Sequence, residues 1–175
     1  NTAVGSGALQ FNTTGNTNHA FGLSALTFNT TGQANQAFGY RAMFVNTTGS
    51  NNTAVGWQVL RSNATGHNNI AIGYTSLYSN TTGGGNVAVG NLALHANTTV
   101  SGLTAIGYEA LYSNTATYNV AIGYQAMKAN TTGANSVAVG YRALLSNTTP
   151  NYHTAVGSEA LLSNTTGSNN TAFGS

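Results

Sequence analysis

"GANSVAVGYRALLSNTTP", at residues 133–150, is one copy of a phrase that recurs through the whole chain. Its A-V-G triplet ends in a glycine that has a counterpart in every copy: Gly5, Gly22, Gly39, Gly56, Gly73, Gly90, Gly107, Gly123, Gly140, Gly157 and Gly174. Successive marker glycines lie 17 residues apart, except for one step of 16 from Gly107 to Gly123. Residues 1–169 therefore hold ten repeats, followed by the start of an eleventh. A fixed short period of this kind is typical of a solenoid, in which each repeat forms one coil.

Positions counted from the marker glycine show what each coil contains. Position −2 is always Ala, position −1 is Val, Ile or Phe, and position +4 is Leu or Met. Seventeen residues interrupted by a glycine and an N-T-T-G turn leave no room for a strand plus a helix. We therefore predict an all-β parallel β-solenoid of about ten coils, with two short strands per coil. Coils stacked at about 4.8 Å would form a rod of roughly 48 Å, with positions −1 and +4 as internal ladders.

Alternation along the strand predicts which side chains share a face. Positions −3, −1 and +1 fall on one face, and Ala at −2 and Gly at 0 fall on the other. A face of Ala and Gly indicates a close neighbour, either across a three-chain axis or across one narrow solenoid. Position +1 is rich in Tyr, which predicts an aromatic row that is half-buried and has a packing role.

Charge and composition exclude several classes of function. The chain carries four basic residues and two acidic ones, at Arg41, Arg61, Lys128, Arg142, Glu109 and Glu159. These residues form no basic stripe, so we expect no nucleic-acid partner. The chain has no Cys, which excludes disulfides and thiolate metal sites. No apolar run approaches the roughly 20 residues that span a bilayer, so we expect no membrane insertion in this segment.

The residues that carry acid–base chemistry do not converge. His19, His67, His95 and His153 occupy four different positions in the repeat, and the chain contains no Asp. Glu109 and Glu159 share position +2 but lie three coils apart, about 14 Å at the normal strand spacing. Glycosidase carboxylates lie within roughly 10 Å of each other. We therefore expect no catalytic, metal or cofactor site, and a protein that is not an enzyme.

The most constrained polar position is +7, which is Asn in every repeat. Three interpretations are open: a stacked asparagine ladder, N-glycosylation, and ice binding by the Thr residues at +8 and +9. Adjacent residues point in opposite directions along a strand, which argues against one flat Thr face. The Asn-x-Thr sequons at +7 are Asn12, Asn29, Asn46, Asn63, Asn80, Asn97, Asn130, Asn147 and Asn164. Asn51 and Asn169 are two further sequons, whereas Asn114 is not one.

NSVAVG at residues 135–140, with variants such as NNIAIG at 68–73 and NVAIG at 119–123, resembles the repeated head motif of trimeric autotransporter adhesins. The resemblance implies a left-handed parallel β-roll in which three chains pack side by side and bind host matrix or other surfaces. The repeats are also similar to segments of phage-type tail fibres and repetitive surface proteins. The coil is longer here than in the adhesin heads because of the added N-T-T-G segment.

These observations lead to one expectation for residues 1–175 as a whole. We expect a single uncapped array, either an excerpt of a longer repeat region or a filament subunit, in an extracellular or cell-surface location. Its expected function is that of a structural or adhesive fibre. Two alternatives stay open: a self-assembling, N-glycosylated filament and an ice-binding protein. The expected partners are further copies of the chain, in a trimer or a head-to-tail filament, and surface glycans or a matrix protein.

Overall fold

A computed structural model describes all residues, 1–175, as one parallel β-solenoid. Its eleven strands form a single sheet in sequence order, so each strand pairs with the strand of the next coil. The strands are β1 (Thr2–Val4), β2 (His19–Phe21), β3 (Gln36–Phe38), β4 (Thr53–Val55), β5 (Ile70–Ile72), β6 (Val87–Val89), β7 (Thr104–Ile106), β8 (Val120–Ile122), β9 (Val137–Val139), β10 (Thr154–Val156) and β11 (Thr171–Phe173). The predicted fold class is confirmed. No helix is present that could cross a membrane.

The register is the same at every step of the sheet. The central alanine of each strand pairs with the central alanine of the next, as Ala54 does with Ala71 and Ala71 with Ala88. The short repeat keeps this register, because Ala105 pairs with Ala121. Its missing residue is taken from the bend after Asn114 and not from the strand. Identical side chains consequently stack on one another along the rod.

Each coil contains one strand, so the prediction of two strands per coil was wrong. The segment after the marker glycine still bonds to the next coil, as in Leu26 N–H to Ala42 O at 3.0 Å and Phe28 N–H to Phe44 O at 3.2 Å. The residue at +4 nevertheless has a positive φ, 51° for Leu26 and 49° for Met43. Such left-handed residues interrupt the extended backbone that defines a strand.

The core contains smaller side chains than the sequence analysis predicted. The +4 residues from Leu26 to Leu144 are buried and form the predicted internal ladder. The −1 residues are not internal: Val55, Ile72 and Ile106 are among the exposed apolar side chains. Ala at −2 faces inward instead and joins Ala at +3 and the +4 residues in one core cluster. The cross-section is too narrow for a large side chain at −2, so the β-branched face is left outside.

Glycines at two positions of the repeat lie in close contact with the next coil, although Val100 and Pro150 take the second position in two coils. The marker Gly22 has a φ of +137°, and a Cβ atom built on it would lie 2.5 Å from the carbonyl oxygen of Gly39. Gly32, at position +10, has no positive φ, but its Cβ would lie 2.5 Å from Oδ1 of Asn29. The carbonyl oxygen of Gly49 would lie closer still, so backbone approach explains both positions, and the asparagine side chains add to the crowding at the second.

Candidate functional site

The asparagines at +7 form a hydrogen-bonded ladder inside the rod. In the regular coils, each side-chain amide donates one bond to the previous asparagine and one to the carbonyl three residues further on. Asn46 Nδ2 donates to Asn29 Oδ1 at 2.7 Å and to Gly49 O at 2.9 Å. The buried members are Asn29, Asn46, Asn63, Asn80, Asn97, Asn114, Asn130 and Asn147, while Asn12 and Asn164 at the two ends are half-buried.

This ladder bears on the glycosylation hypothesis. A glycan would be attached to the same Nδ2 atom that donates two hydrogen bonds inside the coil, so modification of a buried +7 asparagine requires that coil to open. The sequons at Asn51 and Asn169 differ, since both residues are exposed. These are the two sequon asparagines that are exposed in the folded rod.

A second ladder at position −4 was missed by the sequence analysis. The backbone N–H at this position donates to the side-chain oxygen one coil earlier, as Asn35 N–H does to Asn18 Oδ1 at 3.0 Å and Asn52 N–H to Asn35 Oδ1 at 3.1 Å. The Nδ2 of Asn35 donates to Gly49 O at 2.8 Å. The signal was present, because eight of eleven copies carry Asn at −4.

Two other residue types replace Asn at −4 and preserve its role as an acceptor. His153 N–H donates to Ser136 Oγ at 3.1 Å, and Asn170 N–H donates to His153 Nδ1 at 3.3 Å. Burial lowers the pKa of His153, because a charged ring would lose its hydration. The ring is therefore kept in the neutral form that can accept a hydrogen bond.

Both ladders are interrupted in the same part of the rod. Leu103 occupies position −4 and offers no acceptor to the next coil. Asn114 belongs to the short repeat and donates to Ala116 O at 2.7 Å, and the buried Oδ1 of Asn97 has no hydrogen-bond partner. An unpaired buried acceptor is destabilising. Residues 97–119 therefore form the least regular segment of the interior.

The remaining titratable residues are dispersed along the rod. His95 stacks between Tyr78 and Tyr112, and no group of three His or Glu residues is placed to hold a metal ion. Partial burial would raise the pKa of Glu109, but hydrogen bonds from Lys128 and Gln125, each 2.7 Å long, and the charge of Lys128 lower it overall. This cluster balances a charge between neighbouring coils.

The two Thr positions differ in how their hydroxyls are used. At +8 the hydroxyl donates to the +8 carbonyl of the next coil, as Thr30 does to Thr47 and Thr47 to Ala64 at 3.0 Å. At +9 residues such as Thr48 and Thr82 are exposed. The hydroxyls at +9 are therefore free, whereas most of those at +8 are bonded to the next coil.

An apolar stripe is exposed on the outer face of the sheet. It consists of the residues at −3, −1 and +1 in the coils of β4 to β9. Its exposed members are Val55, Trp57, Ile70, Ile72, Tyr74, Ile106, Tyr108, Ile122, Tyr124, Val137 and Tyr141. Exposed apolar side chains that recur at one position in neighbouring coils are typical of an interaction face.

Aromatic rings run along one edge of this stripe in two stacks. Tyr40, Trp57 and Tyr74 stack with ring centroids 5.7 and 4.9 Å apart. Tyr108, Tyr124 and Tyr141 stack at 5.2 and 5.5 Å. The inner rings have both faces covered by neighbours and present only their edges, so they cannot stack against a ligand. The predicted aromatic row is present, and its residues are about half-buried, with exposed fractions of 40% for Tyr108 and 49% for Tyr74.

Comparisons of the chain with protein-family models, curated proteins and solved structures find no match. The fold assignment therefore rests on the structure, and the resemblance to adhesin heads stays a prediction.

Proposed function

We propose that this chain is a non-enzymatic, extracellular structural or adhesive fibre segment. The observation that carries the proposal is the apolar stripe, which follows the outside of the stacked coils. An exposed apolar face costs free energy in water and gains it on contact with another surface. A face that recurs in most coils from β4 to β9 offers several similar contacts, which suits attachment along a length.

The interior supports a rigid role for the rod. Asparagine ladders, backbone bonds between coils and the +4 ladder connect each coil to the next, so bending would have to break many hydrogen bonds together. Neighbouring repeats contact only each other in such arrays, and stiffness is a property of the whole stack. The rod therefore holds its outer face at a fixed spacing.

The partners we propose are further copies of the chain, in a trimer or an end-to-end filament, and a matrix protein or glycan surface. Lateral packing of stripes favours the trimer, because apolar burial is the main driving force of association. The exposed sequons Asn51 and Asn169 support the alternative of a glycosylated filament. Neither sequon lies on the stripe, so glycans there leave it free.

The test replaces three exposed apolar residues of the stripe by polar ones in the triple variant Ile72→Thr, Ile106→Thr and Ile122→Thr. Thr is β-branched, as Ile is, so the strands should be kept. We expect the native chain to sediment as an oligomer or to adsorb to apolar beads, and the variant to lose both properties. The matched control is Thr48→Ser, Thr82→Ser and Thr132→Ser in the exposed +9 row, which should behave as the native chain.

A native chain that is monomeric and does not adsorb would contradict the proposal. Electron microscopy of the same samples separates the two forms of association, since a trimer is compact and a filament grows with concentration.

A further inference from the structure

The aromatic row at +1 contains a gap of one residue. Between Tyr40 and Tyr141 every +1 position is aromatic except Asn91, which separates Tyr74 from Tyr108. Tyr74 has Trp57 on one face of its ring, and Tyr108 has Tyr124 on one face. Their other faces point towards the coil that carries Asn91. These two rings are the walls of a notch on the surface of the rod.

The width of the notch corresponds to one missing ring. Two coil steps separate Tyr74 from Tyr108, which is about 9.6 Å at the normal strand spacing. Rings within the two stacks lie between 4.9 and 5.7 Å apart. A single ring midway between Tyr74 and Tyr108 would thus be stacked on both sides at the distance that the row already uses. Both Tyr side chains are exposed and leave the notch open on its outer side.

Asn91 forms the floor of the notch. Its Oδ1 accepts a hydrogen bond from the backbone N–H of Tyr74 at 2.9 Å, which fixes the side chain. Its Nδ2 has no hydrogen-bond partner in the protein and is free to donate. A ring in the notch would therefore have a ring face on each side and one amide donor beneath it.

We propose that this notch binds a planar aromatic ring that carries a hydrogen-bond acceptor. The ring takes the place of the missing member of the row, and its acceptor faces Nδ2 of Asn91. A free aromatic compound and an aromatic side chain of a partner protein share this chemistry. The inference goes beyond the proposed fibre function, because it needs neither self-association nor adhesion.

The experiment measures binding of two probes to the full chain by ligand-observed NMR and by the shifts of the Tyr74 and Tyr108 ring protons. 2-Quinolone represents a free aromatic compound, and N-acetyltyrosinamide represents a side chain. Asn91→Tyr fills the notch and should abolish binding of both. Asn91→Ala removes the donor and should weaken binding about tenfold. Ser158→Tyr adds a ring at the end of the row and is the matched control, which should bind as the native chain does.

The inference is wrong if neither Tyr ring shifts at a saturating concentration of the aromatic probes. It is also wrong if the Asn91→Tyr variant binds these probes as tightly as the native chain does. Binding of methyl β-glucoside at the notch, without binding of either aromatic probe, would contradict it as well. Binding of only one aromatic probe identifies the source of the ring and supports the inference. Asn91→Tyr should also raise the denaturation midpoint, because it joins the two stacks into one. Sedimentation of the same samples reports on the fibre function separately.

Discussion

Asparagine fills two internal positions of this rod because its side chain carries a donor and an acceptor on one short stem. At +7 the donor reaches a neighbouring asparagine and a carbonyl, and at −4 the acceptor reaches a backbone N–H of the next coil. Such a network stabilises only while every member is paired, since an unpaired buried group costs about 1–3 kcal/mol. Single residues in the ladders should therefore have large effects.

Asn63→Ala is expected to lower the free energy of unfolding by about 2–4 kcal/mol. The substitution removes the bonds from Asn63 to Asn46 and Gly66, and it leaves Nδ2 of Asn80 without one acceptor. The measurement is the denaturation midpoint. Gln33→Ala is the control, because its exposed amide makes no hydrogen bond. An equal midpoint for the two variants would show that the ladder contributes no stability.

His153 predicts a loss of stability in acid. Its pKa is lowered by burial in the folded chain and has its ordinary value of 6.5 when unfolded. Below pH 6.5 the unfolded state therefore binds more protons, and stability falls as the pH decreases towards the folded pKa, by at most about 1.4 kcal/mol per pH unit. The protection of the Asn170 amide against hydrogen exchange, corrected for the intrinsic rate at each pH, should fall first, because its N–H bonds to this ring. His153→Asn restores the usual residue and should make that protection independent of pH. Protection at Asn170 that still falls in acid in this variant would assign the effect to another group.

At the scale of the element, the main constraint on each strand is the size of the side chain at its central position, −2. Ala at −2 is buried in every coil from β2 to β10, and it packs in a core with no space for a larger group. The neighbours at −3 and −1 point outward and vary freely among Thr, Val, Ile, Phe, His and Gln. The inward-facing position of the strand therefore requires a small residue and not a large apolar one.

Ala88→Leu is expected to lower the free energy of unfolding by about 1–3 kcal/mol or more, because overpacking a close-packed core forces side chains and backbone apart. Val89→Leu adds bulk at the next residue but on the outer face, and should change stability by less than about 0.5 kcal/mol. The measurement is the thermal denaturation midpoint of both variants. A larger loss for Val89→Leu would place the −1 residues inside after all.

Much of this element was predictable from the sequence. The period, the parallel stacking, the buried +4 ladder and the +7 asparagines follow from residues that recur at one position. Which face of the strand is buried was not predictable from the sequence. A wide coil can bury the face with Val, Ile and Phe, whereas a narrow coil can bury only the face with Ala and Gly. The left-handed conformations at +2, +4 and −5 were also missed, since residues as unlike as Leu94, Arg41 and Tyr118 adopt them. Contacts between coils impose this backbone, and side-chain preference alone gives no sign of it.

At the scale of the whole molecule, the exceptions to the repeat lie close together. Asn91 interrupts the aromatic row, Leu103 interrupts the −4 ladder, and the short repeat follows at Gly107. The unpaired Oδ1 of Asn97 lies in the same segment. Outside this segment the replacements at −4, Ser136 and His153, keep the hydrogen bond between coils, so the stack has two more regular parts joined by one irregular segment. The notch and the weakest internal bonding thus occupy neighbouring coils.

The constant register between coils predicts that the rod can be lengthened by whole repeats. A second copy of residues 69–85, inserted after Gly85, adds one 17-residue period in a regular part of the stack. The longest dimension from small-angle scattering should increase by about 4.8 Å with an unchanged cross-section. The denaturation midpoint should stay equal or rise, because an added coil brings its own interface. A second copy of residues 69–76 alone is the control, since it puts strand residues opposite turn residues and should lower the midpoint. If both insertions are equally tolerated, the register between coils does not determine the stability of the rod.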